Sequence, residues 1–368
     1  MAAKLGTLLG IALTAVLLLD PSLGQAAPRT ANPPLALQTP EYAPDAHPQG
    51  KIERIVVHGE SLVGNLEGDS PDREVLIYLP PSYSQDASRR YPVLYVLHGF
   101  TDTADLWFGL KGKHFVILPR AVDEAYAHGA QQMIIVMPDA YTKYAGSMYS
   151  DSVVTGNWER FVTHDLVTYI DSHYRTLAQP RSRGLAGHSM GGYGTLRLAM
   201  KYPGIFSSIY AMSPCCLAAN LHPSPALMAQ AAKVQASGRV AAAGFVVKAM
   251  LASAAAWSPD PKNPPSYFDL PIVDGKPVPR VIAAWAANAP LAMVYQDISN
   301  LRSYDAIAFD AGDRDTGIAA TVRSLDRTLT AFGVRHVAAI YHGNHVDHIE
   351  RRFASKVIPF FSQHLKFE

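Results

Sequence analysis

The sequence predicts an α/β fold: a mostly parallel central sheet with helices on both faces and a helical insertion at one end of the sheet. Three observations predict it. Short runs rich in Val, Ile, Leu and Tyr alternate along the chain with stretches of helical period, as strand–helix–strand units require. One run, Tyr91-Pro92-Val93-Leu94-Tyr95-Val96-Leu97-His98-Gly99, is apolar almost without a break, the mark of a strand buried on both faces. A glycine-rich turn, Gly187-His188-Ser189-Met190-Gly191, stands between one such strand and a helix.

The chain has 368 residues, 48% of them hydrophobic, ample for a sizeable core. A formal net charge of +1 gives no support for nucleic acid or an anionic membrane as partner. Residues 1–26 read as a signal peptide. Lys4 supplies the positive end, Leu5 to Leu19 the apolar core, and Gly24-Gln25-Ala26-Ala27 a small-residue cleavage site. The apolar run, about 15 residues, is shorter than the roughly 20 a span needs. The expectation is a secreted or periplasmic protein with no stable membrane insertion after cleavage. Residues 27–50, with Pro28, Pro33, Pro34, Pro40, Pro44 and Pro48 and no period, read as an extended tether. Residues 51–368 are left as one α/β domain with an insertion at about 217–303.

Within that domain Ile52 to Val57 and Glu74 to Leu79 read as early strands paired antiparallel. The run at 91–99 follows, then Met133 to Met137, Gly184 to Gly187, Ser207 to Met212, Asp305 to Phe309 and His336 to Tyr341. Trp158, Phe161, Val162, Leu166, Tyr169, Ile170 and Tyr174 recur at helical spacing. Thr195 to Tyr202 continues the glycine-rich turn as a helix stopped by Pro203. Ile318, Val322, Leu325, Leu329 and Phe332 mark another, with Thr316 as N-cap and Gly333 as its stop. Arg351 to Leu365 forms the last helix.

From Cys216 to about Tyr304 the rhythm breaks into alanine-rich helical sequence around a proline-dense loop. Val240 to Trp257 has the look of a membrane span, but Lys248 sits within it, and a soluble helical insertion is expected. Trp257, Tyr267, Phe268 and Trp285 are its candidates either for lining a cleft or for ordinary core. The only cysteines, Cys215 and Cys216, are adjacent. A disulfide between neighbours strains the peptide it closes on, so they read as buried free thiols at a strand end.

The chemistry centres on Ser189. In G-x-S-x-G between a strand and a helix, serine is held in a strained turn and nothing larger than glycine fits two residues to either side. Its Oγ then stands at a helix N-terminus, where backbone N–H groups favour developing negative charge. The pentapeptide alone is a weak signal; its flanks and partners give it weight. A serine hydroxyl needs a base, and the base needs a carboxylate to fix its tautomer. The acid is expected after a late strand, in Gly312-Asp313-Arg314-Asp315-Thr316. Asp315 is preferred over Asp313, with Asp310 third, and one of them is expected merely to cap the following helix. The base is expected in Tyr341-His342-Gly343-Asn344-His345-Val346-Asp347-His348. His345 is preferred and His342 and His348 are its rivals. Their spacing, with Asp347, also admits a metal, but no H-E-x-x-H stands in the chain, and no metal or cofactor is expected. Two backbone donors complete the site: Met190 N–H, after the serine, and Phe100 N–H, in the loop His98-Gly99-Phe100.

With those residues in place the sequence resembles the esterase D and putative-esterase branch of the α/β-hydrolases, which includes feruloyl esterases, S-formylglutathione hydrolases and secreted mycolyltransferases. The resemblance runs from about Lys51 to the C-terminus. It is carried by Tyr91 to Phe100, Thr155-Gly156-Asn157-Trp158-Glu159, Gly187 to Gly194, Gly312 to Asp315 and Gly343-Asn344-His345. It implies an α/β-hydrolase fold and a serine carboxylesterase acting through an acyl-enzyme on a small-molecule or carbohydrate-linked acyl ester, of aryl or sugar-linked, feruloyl type. An acyltransferase with the same three residues, mycolyltransferase-like, is the alternative. The family's spacing supports Asp315. His188 departs from the leucine of many relatives and is not read as catalytic. An S-formylglutathione hydrolase belongs in the cytosol, against the export signal. Oligomeric state is not legible in the sequence.

Overall fold

A computed structural model describes residues 48–219 and 224–368. The expected signal peptide and nearly all of the expected tether lie outside the described residues. Eight strands form one sheet: β1 (Lys51–His58), β2 (Asp72–Leu79), β3 (Val93–Leu97), β4 (Ile134–Pro138), β5 (Arg183–His188), β6 (Ser208–Met212), β7 (Ala306–Gly312) and β8 (Val337–Tyr341). Their spatial order is β1-β2-β4-β3-β5-β6-β7-β8. β1 pairs antiparallel with β2, Lys51 opposite Leu79, and β2 antiparallel with β4. All other neighbours are parallel.

Each expected strand is present. β7 runs on to Gly312, beyond the expected end at Phe309, because it pairs with β8 as far as Gly312 opposite Tyr341. The chain passes from β3 out to β4 and then back across β3 to β5. This is the kind of reversal that opens a crevice at the carboxyl ends of the strands. In β3, Val93, Tyr95 and Leu97 face one side while Leu94 and Val96 face the other, all fully buried. That explains the unbroken apolar run.

The helices cover both faces. α1 (Leu118–Ala127) packs with the C-terminal helix on one of them. On the other, a helix begins at Trp158–Arg160, capped by the Asn157 side chain on Arg160 N–H. It passes through a π turn at Phe161–Asp165 and continues as α2 (Leu166–His173). α3 (Met190–Lys201) begins five residues before the expected Thr195. Gly191, Gly192 and Gly194 hide its first turn from a propensity reading, yet packing demands small residues there. A Cβ on Gly192 would lie 2.9 Å from the Met212 carbonyl oxygen, and one on Gly194 2.7 Å from the Tyr149 ring.

The region after β6 holds α4 (Pro225–Ser237), α5 (Phe245–Trp257), α6 (Pro279–Ala287) and α7 (Pro290–Arg302), with a short hairpin between α5 and α6. The Ser224 side chain caps Leu227 N–H, and Gly238 closes α4 with φ 65°. Trp257, Phe268 and Trp285 are core. Their burial is stabilised where the two indole N–H groups donate to Ser150 and Ser258 hydroxyls. α7 lies along α3, with Asn300 donating to the Met200 carbonyl. Among the described residues no helix is long and apolar enough to cross a membrane. α8 (Thr316–Ala331) follows β7 and ends before Gly333, φ 64°. Thr316, expected as the N-cap, is instead the first helical residue and Asp315 holds the cap position. The last helical stretch runs from Ile349 through a π turn to α9 (Ile358–His364).

Candidate active site

The loops that carry the site leave the carboxyl ends of five neighbouring parallel strands, β3, β5, β6, β7 and β8. Ser189 follows β5 directly, with φ 56° and ψ −113°. For a residue with a Cβ this is a strained conformation that persists only where surroundings over-determine it. They do so here. Ser189 N–H donates to the Met212 carbonyl at 3.0 Å, and its own carbonyl accepts from Tyr193 N–H at 2.9 Å and Cys215 N–H at 3.1 Å. A Cβ on Gly191 would strike the Leu97 carbonyl oxygen, and one on Gly187 would strike the Gly191 backbone.

His345, from the loop after β8, places Nε2 2.9 Å from Ser189 Oγ. Its Nδ1 lies 2.6 Å from the Asp315 carboxylate. An ionised carboxylate only accepts, so Nδ1 carries the proton and Nε2 is left to accept from the serine hydroxyl. Asp315 occupies the N-cap of α8 without capping it; its side chain is turned to His345 instead. Asp313 takes the structural part. It accepts from Gly343 N–H at 3.1 Å and pairs with the exposed His342 at 3.0 Å, contacts that hold its carboxyl below the usual range. Asp310 is buried inside β7, bonded to Tyr210 and Arg352, with burial raising its pKa. Its carboxylate is thus committed to Tyr210 and Arg352 rather than to His345. His348, φ 62°, starts the final helical stretch. Among the described residues no three His, Cys, Asp or Glu side chains are grouped as a metal would need.

The donors expected opposite the hydroxyl are Phe100 N–H and Met190 N–H; among the described residues neither has a hydrogen-bond acceptor. The buried His98 sets the first of them. Its Nε2 accepts from Ala140 N–H at 2.8 Å, so Nδ1 holds the proton and donates to the Gly99 carbonyl at 2.8 Å. In a trans peptide the N–H points opposite to the carbonyl, so fixing the Gly99 carbonyl fixes the Phe100 N–H. Gly99 also permits the close approach: a Cβ there would lie 3.6 Å from Ser189 Cβ and 2.9 Å from the Asp102 carboxylate. Thr101, φ 67°, is tied by its N–H to the Ala145 carbonyl at 3.0 Å.

Behind this line lies a second layer that the sequence did not reveal. His188 is buried and donates from Nε2 to the His345 carbonyl at 2.9 Å, its ring 4.8 Å from that of His345. Burial, and next the nearness of His345, lower its pKa to about 4, so it is neutral near pH 7. Burial alone would raise Asp102, but hydrogen bonds from His114 and Trp107 hold it below its ordinary value. On the other side Glu159 is buried. Arg197, Lys201 and Tyr202 outweigh that burial and keep its pKa low. Arg197 donates on to Tyr193, whose hydroxyl donates to the Asn288 carbonyl at 3.0 Å. The inserted region reaches the site through Phe245, 62% exposed, which meets the Phe100 ring edge-on at 5.5 Å. Cys215 and Cys216 are free and follow β6, each residue partly exposed, with the Cys215 N–H bonded to the Ser189 carbonyl. Nothing in the sequence distinguishes Phe245 from the apolar helix it begins.

Residues 70–359 match the family model described as "Putative esterase". The chain belongs to this esterase family. An esterase of Mycobacterium tuberculosis is 35% identical over 136 residues, a match covering 36% of this chain and 27% of that protein. The chain therefore spans little more than a quarter of that relative's length. An endo-1,4-beta-xylanase/feruloyl esterase of Xylanibacter ruminicola is 29% identical over 161 residues, covering 43% of this chain and 20% of that protein. Among solved structures a ferulic acid esterase superposes with a TM-score of 0.62 at 21% identity, covering 87% of this chain and 100% of the other. The likeness is one of fold, and it extends the esterase family's α/β-hydrolase architecture over the described chain.

Proposed function

We propose that the chain is an exported serine carboxylesterase that hydrolyses acyl esters of small-molecule or carbohydrate-linked alcohols. Ser189 Oγ attacks the ester carbonyl while His345 Nε2 takes its proton. Asp315 holds the imidazolium that forms. Phe100 and Met190 N–H groups receive the oxyanion, a type of contact typically worth about 10²–10³ in rate per donor. The protonated His345 then passes its proton to the departing alcohol, leaving an acyl-Ser189. Water, deprotonated by His345, releases the acid. No cofactor takes part in these steps.

The observation that carries the reading is the hydrogen-bonded line from Ser189 through His345 to Asp315, set beside two uncommitted N–H groups. Export rests on the sequence of residues 1–26. An aromatic acyl group is favoured by the Phe100–Phe245 pair at the rim of the crevice and by the names of the feruloyl and ferulic acid esterase relatives. A fluorophosphonate probe followed by peptide mapping tests the nucleophile: the label is expected on Ser189, and label on another residue, or none on folded protein, overturns the assignment. Methyl ferulate run against p-nitrophenyl esters of increasing chain length tests the acyl class. Product analysis with an added sugar or alcohol acceptor completes the test, since a new ester in place of free acid would make the protein an acyltransferase.

A further inference from the structure

Cys215 and Cys216 take no part in the chemistry above, yet they stand where β6 opens into the crevice. Their sulfurs are 2.8 Å apart, both are free, and each residue is partly exposed. Cys215 N–H is bonded to the Ser189 carbonyl at 3.1 Å, and the Cys215 thiol interacts with the Ser189 side chain. Cys216 follows in a left-handed backbone conformation, φ 61°. The pair is thus a preformed dithiol tied to the Ser189 backbone through the Cys215 N–H. A direct bond between neighbouring sulfurs closes a small, strained ring. One soft atom placed between them enlarges that ring by an atom and lets both sulfurs bond without compressing the peptide.

We propose that Cys215 and Cys216 form a chelating site for a thiophilic centre with two open valences, a trivalent arsenical, and that filling it silences Ser189. With an arsenoxide the step balances without oxidation. Two S–H bonds and the As=O bond break, two As–S bonds form, and one water leaves. The hydrogen bond from Cys216 to Cys215, reinforced by burial, raises the Cys215 pKa and keeps that sulfur a thiol. The two S–H groups supply the protons that water carries away. The arsenic atom and its substituent then occupy the space beside Ser189 Oγ. The blocking half of the proposal rests on Ser189 as nucleophile; the binding half does not.

The test uses full-length protein, reduced and freed of thiol, with phenylarsine oxide as probe. Intact mass should show one adduct with loss of water. Hydrolysis of p-nitrophenyl acetate should fall by about a hundredfold, as expected when a reacting group is displaced or covered. Dithiothreitol should restore it, whereas mercaptoethanol at equal thiol concentration should not. Cys216→Ala should keep its basal hydrolysis and hold the arsenical about a hundredfold more weakly, since one sulfur loses the chelate advantage. Ser189→Ala, though inactive, should still form the adduct, so that a failed esterase assay and a failed dithiol site are read apart. No adduct on the folded protein, an adduct retained at full strength by Cys216→Ala, or an adduct that leaves hydrolysis unchanged would each overturn the proposal.

Discussion

At the carboxyl edge of the sheet, backbone geometry leaves little choice of residue. In the helices between β6 and β7 it leaves a great deal. Ser189 is held at φ 56°, Gly187 and Gly191 have no room for a Cβ, and the Gly99 carbonyl is fixed by His98. By contrast α5 and α6 are rich in alanine around two tryptophans, and Phe245 at the start of α5 meets Phe100. The first region fixes a few atoms by close backbone contacts; the second supplies bulk and a surface. Changes at the edge should therefore be felt in rate, and changes in the wall in selectivity.

The sharpest way to break this contrast is at the serine. Ser189→Ala should lower ester hydrolysis by on the order of 10⁵ without moving the urea midpoint; retained activity would remove the edge from the chemistry. Asp315→Asn should cost about 10⁴ in kcat through loss of the correct histidine tautomer. Asp313→Asn, beside it in sequence, should cost less than about tenfold, because Asp313 bonds the His342–Gly343 turn and not His345. Equal losses at the two would erase the distinction between them.

Stability sharpens the contrast next. Gly191→Ala forces a methyl into the Leu97 carbonyl and should destabilise by about 3 kcal/mol, read from denaturant melts. His188 is held neutral, with its pKa lowered from 6.5 to about 4. As the pH falls through that window the unfolded chain binds a proton that the folded protein refuses. Stability is thereby lost by on the order of 3 kcal/mol in full. His188→Leu should flatten this part of the stability–pH curve, while giving up about 1 kcal/mol near neutral pH with its bond to the His345 carbonyl. The smallest effect is expected at the wall. Phe245→Ala should raise KM for an aryl ester by about tenfold and leave kcat for p-nitrophenyl acetate within about twofold.

Much of this was legible in the sequence, for a physical reason. Strands buried on both faces, such as β3 and β4, must be apolar throughout and so stood out. An elbow that tolerates only glycine at Gly187 and Gly191 writes that constraint in letters. The late-strand pattern led to Asp315 and His345, which stand just past glycines at the strand ends, Gly312 having no room for a Cβ. Other features left no such trace. The first turn of α3 was hidden because its glycines serve packing against Met212 and Tyr149, contacts that local propensity does not see. Thr316 looked like a cap, and the structure gives that position to Asp315, whose carboxylate is taken by His345. The parts played by His98, His188 and Phe245 depend on which residues meet across the crevice, and a single sequence does not record that.

The buried chain of contacts from Glu159 through Arg197 and Tyr193 to Asn288 ties the inserted helices to the helix that follows Ser189. Heating that frays the inserted helices should unmake the turn at Ser189 in the same cooperative step, and amide exchange should report one protection class across both. Loosening the inserted helices to widen an acyl range would therefore draw on the thermal endurance of the proposed site itself.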